Sequence, residues 1–190
     1  MKKILFLLGT LLLFASSVKA YDLPRWDVIP IQVYLPPDNA KSAVIQRAFN
    51  AWAGASNGAV RFRYMTSKQA SKNASVIVTI DEANNAQAVT AQRYETVGYF
   101  RDMRVGFLYR ADVTVHTKNS EGKDYTDDKI YESALMEVGY ILGFDKVTQD
   151  AETYSSVMNY QCSGKLKSPT DIDRQKIKQK YTLTPERDKK

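Results

Sequence analysis

The chemistry of this chain turns on Glu137. It sits in the run Met136-Glu137-Val138-Gly139-Tyr140-Ile141-Leu142-Gly143-Phe144-Asp145-Lys146. Positions 136 and 140 lie one helical turn apart and share a face. Gly143 is the expected helix stop, because glycine enters the left-handed conformation without penalty. Lys146 follows just beyond it. A carboxylate among a thioether, a phenol and an ammonium has two roles open to it. As a general base it would take a proton from a nucleophile; as a structural group it would pair with Lys146 or Tyr140. Amide hydrolysis also needs a group that stabilises the developing oxyanion. The run offers only Lys146 for that, so pairing is the expected role.

The elements that must position this run can be read from periodicity. The apolar stripe Ile130, Ala134, Val138, Ile141 and Leu142 marks a core-facing helix. Thr126 or Asp127 can cap it, and Asp127 and Asp128 suit the positive end of its dipole. Upstream, residues 29–35 read as a strand with Pro30 at its start or on an edge. Asp38 or Asn39 can cap a helix over 41–53, whose stripe is Val44, Ile45, Ala48, Phe49 and Trp52. Trp52 is a core anchor, Gly54 the helix stop and Gly58 part of the next turn. Residues 60–64 and 75–80 read as strands, the second more central because it is apolar on both faces. Residues 81–95 are polar and poor in pattern, and read as a loop. Residues 97–100 and 105–109 read as two short strands around a turn containing Asp102, and 111–116 alternates as another. Past the central helix, 155–160 is a short tight segment, and Thr170 caps a last helix that turns Ile172, Ile177 and Tyr181 to the core.

Composition narrows the class. Lys2 and Lys3, an apolar stretch over 4–15 broken only by Gly9 and Thr10, and the exit Val18-Lys19-Ala20 form the layout of a secretory signal over residues 1–20. The stretch is short for a membrane span, and the small-residue exit speaks for cleavage before Tyr21 rather than for a retained anchor. No later apolar run is long enough to cross a membrane, so a secreted or periplasmic domain over 21–184 is expected, with a charged tail over 185–190. Loss of Lys2, Lys3 and Lys19 takes Lys+Arg from 27 to 24 against 21 acids, a net +3. No basic patch on a recognisable module points to nucleic acid. Cys162 is the only cysteine, which rules out an internal disulfide. It is expected as a buried small hydrophobe, with a mixed disulfide or soft metal ligation as alternatives. His116 is the only histidine; alone on a strand it reads as structural or solvent-facing, since a zinc ligand would need partners.

A set of motifs in fixed order then carries a resemblance. They are Trp26 with Pro30-Ile31-Gln32-Val33-Tyr34, then Ala48-Phe49-Asn50-Ala51-Trp52, then Gly98-Tyr99 and Ala111-Asp112-Val113-Thr114-Val115. There follow Ala134-Leu135-Met136-Glu137-Val138-Gly139-Tyr140-Ile141-Leu142-Gly143, Ser156-Val157-Met158-Asn159-Tyr160, and Pro169-Thr170-Asp171 with Ile177 and Tyr181. Over nearly all of the mature chain this order resembles the metzincin zinc peptidases, most closely the matrixin branch. The resemblance implies an α+β fold: a metzincin-like twisted mixed sheet with an N-terminal helix, an active-site-type helix and a C-terminal helix. It also implies that Met158 and Tyr160 belong to the Met-turn, the floor beneath the metal, and that an edge strand near 98–101 pairs with substrate. In the family motif H-E-x-x-H-x-x-G-x-x-H the three histidines bind zinc, the metal activates water and polarises the scissile carbonyl, and the glutamate takes the proton.

Aligned on that motif, Glu137 and Gly143 match, while Met136, Tyr140 and Lys146 stand at the three ligand positions. A thioether suits Cu(I) better than zinc, a phenol is largely protonated at neutral pH, and an ammonium repels a cation. Asp145, one position early, would still lack imidazole partners. The expectation is therefore no metal and no other cofactor, with Glu137 as a degenerate general-base position. Three functions follow: a pseudopeptidase that binds a peptide or protein, a peptidase working through an atypical site, or a scaffold used only for interaction.

Overall fold

The computed structural model describes residues 24–100 and 103–182, apart from the side chains of residues 70, 99, 100, 103–105 and 182. The signal-like residues 1–20, the turn expected at Asp102 and the tail expected over 185–190 lie outside the described residues. The elements in chain order are β1 (Arg25–Trp26), β2 (Ile31–Tyr34), α1 (Ala40–Ala55), β3 (Phe62–Met65), α2 (Lys68–Ser71), β4 (Val76–Asn84), β5 (Val89–Phe100), β6 (Met103–Lys118), α3 (Asp127–Ile141), a 3-10 turn (Tyr160–Cys162) and α4 (Asp171–Thr182). This is the expected α+β class, one mixed sheet with α1 and α2 inserted between its strands and α3 and α4 after it.

The sheet runs β3-β2-β4-β6-β5, with β1 beside the early part of β6. β2, β3, β4 and β6 are parallel and β5 is antiparallel to β6. Connection length explains the difference. The β2–β3 crossover carries α1, whereas only two residues separate β5 from β6, a connection too short for parallel strands. β5 is an edge strand, and among the described residues only β6 pairs with it. α1 packs on α3 through Trp52, which is fully buried and donates its indole N–H to the Leu135 carbonyl at 2.8 Å. Asn39 caps α1 by accepting from the Lys41 amide.

Three expectations are corrected. α1 does not stop at Gly54 but runs to Ala55. The stop is Ser56, whose hydroxyl oxygen accepts from the Val60 amide at 2.9 Å, followed by Asn57 and Gly58 at φ 52° and 83°. Residues 81–95 are not a loop, because β4 continues to Asn84 and β5 begins at Val89. Ladder hydrogen bonds to β6 hold both, and an edge strand with solvent on one face needs little apolar content. The separate strands expected over 105–109 and 111–116 are one strand, β6, paired on both sides at 107–108 and 111–115.

Candidate functional site

α3 delivers Glu137, and both of its ends are built by side chains. At the N-terminus Thr126 accepts from the Lys129 amide, and Asp127 and Asp128 occupy the first turn. At the C-terminus Gly143 has φ 91°, and a Cβ there would lie 1.8 Å from the Pro24 carbonyl oxygen and 2.8 Å from the Lys180 ammonium. Glycine is required twice over, by conformation and by space. The carbonyls left open at this helix end are met by four donors from elsewhere. Trp26 Nε1 donates to Ile141 O at 2.8 Å, Tyr181 OH to Leu142 O at 2.9 Å and Lys180 Nζ to Gly143 O at 2.6 Å. Arg93 donates to Tyr140 O at 3.0 Å and Phe144 O at 3.1 Å. The cations suit the negative end of the dipole. Burial, seconded by the Arg93 charge, nevertheless pushes the Lys180 ammonium down to about 7.

Beneath α3 lies the segment carrying Met158. Met158 is buried, and a Cβ on Gly139 would come within 2.3 Å of its sulfur and 2.6 Å of the Trp52 ring. Gly139 thus lets two large side chains reach the helix backbone. Asn159, fully buried, accepts from the Gln149 and Gln161 amides and donates to the Gln149 and Tyr154 carbonyls. Asp173 of α4, also buried, takes the Ser156 hydroxyl at 2.5 Å, the Val157 amide at 3.1 Å and the Thr170 amide at 2.8 Å. Thr170 was expected to cap α4 with its own oxygen. Its hydroxyl instead lies 2.7 Å from Ser155 O and 2.9 Å from Asp173 Oδ2 as a donor, and the acceptor at the cap is Asp173, reaching back as in half of a capping box. Ile177 and Tyr181 face the core, while Ile172 is half-buried.

The run itself closes on an ion pair. The Lys146 ammonium lies 2.5 Å from Glu137 Oε1, and Glu137 is 4% exposed. Burial raises the Glu137 carboxyl above its ordinary value, opposed by Lys146 and by the Ala91 backbone N–H. That amide favours the charged form without forming a hydrogen bond to Oε2, which has no hydrogen-bond partner among the described residues. Tyr140 turns its ring to two cations, the Arg93 guanidinium at 4.3 Å and the Lys146 ammonium at 4.8 Å. Met136 is buried on the wall of a cavity of about 210 Å³ between α3, the approach to β5 and the 157–166 segment; Tyr160, half-exposed, and buried Cys162 line the same cavity. Asp145 points away, to Arg93 at 3.0 Å. His116 is buried on β6, with Nε2 3.1 Å from Thr90 Oγ1 and Nδ1 3.4 Å from Asp81 Oδ2, the latter without hydrogen-bond geometry.

The edge of β5 turned away from β6 lies along α3, and the two repeats match. Four helix residues rise about 6.0 Å and two strand residues about 6.6 Å. Ser133 accordingly meets both the amide and the carbonyl of Val89, Glu137 approaches Ala91, and Arg93 reaches the end of the helix. Beyond a bulge at Tyr94/Glu95, the strand continues to Phe100.

A thioether, a phenol ring facing cations and an ammonium spent on a carboxylate do not fit a zinc site of imidazole, thiolate or carboxylate donors. Among the described residues no three histidine, cysteine, aspartate or glutamate side chains come together as metal ligands. Sequence reasoning missed Arg93 at the end of α3 and Asp173 beneath the Met158 segment, and the pattern of lysines over 176–180 reads as a solvated helix face, whereas Lys180 is buried. Arg93 lay in the stretch read as loop, and nothing local marks a charged residue that will be buried.

No protein-family model matches the chain, and no curated protein matches it. Among solved structures it is similar to myroilysin, with a TM-score of 0.49 and 12% identity over 88% of this chain and 98% of that one.

Proposed function

We propose that this chain is an exported, matrixin-like metzincin homologue that no longer cuts peptide bonds, a pseudopeptidase that binds an extended peptide or protein segment along β5. One observation carries the proposal: the Lys146 ammonium lies 2.5 Å from Glu137 Oε1. In the motif that the run resembles, the glutamate must accept a proton from a metal-activated water. Here its oxygen is engaged by a cation tethered nine residues away. Lys146 supplies positive charge without an open coordination position, so water is not activated. The edge of β5 beyond Arg93 keeps its unpaired backbone groups, the feature used when a peptide adds as a strand. Export rests on the signal-like residues 1–20.

Metal analysis of protein purified without chelator tests the first half; less than a tenth of an equivalent of zinc and no cleavage of a mixed peptide library are expected. One equivalent of tightly held metal, with turnover abolished by Glu137→Ala, overturns it. The triple variant Met136→His/Tyr140→His/Lys146→His should gain one equivalent of zinc if the scaffold is the one proposed. Peptide capture is tested by selecting displayed 12-residue peptides on the protein. Saturable binding that Gly98→Val removes is expected, because a Cβ at Gly98 meets the Phe107 ring at 2.8 Å and must displace it. Peptides that bind the Gly98→Val variant equally well would exclude the β5 edge as the site.

A further inference from the structure

We infer that Lys146 is the anchor for a backbone carbonyl oxygen of the bound peptide, an inference that rests on the peptide-binding function proposed above and names the residue that holds the ligand. An ammonium has three donors. Among the described residues Lys146 has one hydrogen-bond acceptor, Glu137 Oε1. Its side chain is 21% exposed, so the pair is not sealed from solvent on the Lys146 side.

The ammonium is also held in place before any ligand arrives. Glu137 fixes it on one side and the Tyr140 ring lies 4.8 Å away on another. The backbone on both sides of Lys146 is pinned. Asp145 is tied to Arg93 of β5, while the Val147 amide donates to Met158 O and its carbonyl accepts from the Tyr160 amide, each at 2.9 Å. A donor whose freedom is already lost binds an acceptor at lower entropic cost. The same contacts place it between Arg93, where α3 stops covering the edge of β5, and the Met158 segment.

Charge decides between the oxygen ligands a peptide offers. Glu137 balances Lys146 and Asp145 balances Arg93. A ligand carboxylate on Lys146 would stand beside Glu137 on the same ammonium, and like charges that close repel. A neutral backbone carbonyl carries no such penalty, and an extended peptide on β5 presents one every second residue toward the strand edge and one away from it. Held by an ammonium in place of a Lewis acid, that carbonyl is bound without being activated.

The test uses a 12-residue peptide selected on the wild-type protein and a series in which each amide in turn is made a thioamide, a weaker hydrogen-bond acceptor. One position should lose about tenfold in affinity for wild type, the scale of a charge-assisted hydrogen bond. That loss should vanish in Glu137→Leu/Lys146→Met, which replaces the pair by apolar groups of similar size and keeps the fold. Lys146→Arg, which keeps the charge and the pair, should retain the sensitive position. If peptides bind in a Gly98-dependent way but no thioamide effect depends on Lys146, the anchor is wrong and the binding function stands. If no peptide binds wild type, both fail together. A free C-terminal carboxylate that binds more tightly than any internal carbonyl also overturns the assignment.

Discussion

Two buried carboxylates flank the Met158 segment, and they are treated differently. Asp173 is 2% exposed and gathers donors from Ser156, Val157 and Thr170. Glu137 is 4% exposed and has one strong partner, Lys146, with its second oxygen left without a hydrogen bond among the described residues. A fully satisfied buried carboxylate rigidifies its surroundings, whereas a half-satisfied one keeps an electrostatic cost in place. The fold thus completes its polar network where α4 holds the turn and leaves it incomplete where α3 faces the cavity. In this contrast Asp173 belongs to the scaffold and Glu137 with Lys146 to the site.

The contrast is sharpest if Asp173 is removed. Asp173→Ala leaves buried donors of Ser156, Val157 and Thr170 unpaired, so a loss of roughly 5 kcal/mol is expected in urea unfolding. If the loss is smaller than that for Lys146→Met, the division between scaffold and site is wrong. Lys146→Met should cost roughly 3 kcal/mol, because it strands a buried carboxylate. Glu137→Leu/Lys146→Met should recover to within about 1 kcal/mol of wild type, and a double variant as unstable as the single one would show that the pair itself holds the fold.

A third buried charge, Lys180, tests whether the end of α3 is scaffold in the same sense. Its folded ammonium titrates near 7 and its unfolded one near 10.5. Between those values the unfolded chain holds the extra proton, so stability rises with pH across that window and its penalty is fully present below it. Relative to Lys180→Met, wild type should gain up to about 4 kcal/mol from pH 7 to 10.5 in parallel urea titrations. A flat difference would mean that the helix carbonyls offset the burial of the charge. The smallest effect belongs to Ser133→Ala. It frees the amide and carbonyl of Val89, at a cost of about 1 kcal/mol, and should speed hydrogen exchange at Val89 while leaving Arg93 and the end of α3 unchanged.

Much of the scaffold is legible in the residues, because helices and caps are local. The stripe through Val138 and Ile141, Thr126 at the cap, Asn39 before α1 and Gly143 at the turn are each set by neighbours within a few positions. Strands beside β6 are less legible. Residues 89–95 carry no apolar alternation, and it is the ladder to β6 that makes them a strand. In the site, Glu137 and Lys146 are nine residues apart and their pairing follows from a turn that glycine permits. Arg93, Lys180 and Asp173 are different, since a surface lysine and a buried one look alike until the chain has folded.

By itself the sequence determined the donor atoms: a carboxylate followed by a phenol, a glycine turn and an ammonium, with no histidine among them. Only the tertiary structure decided which of these groups meet and how dry the meeting place is. Side-chain chemistry is written residue by residue, but burial and charge pairing depend on segments as distant as Trp26 and Tyr181, brought together at one end of α3.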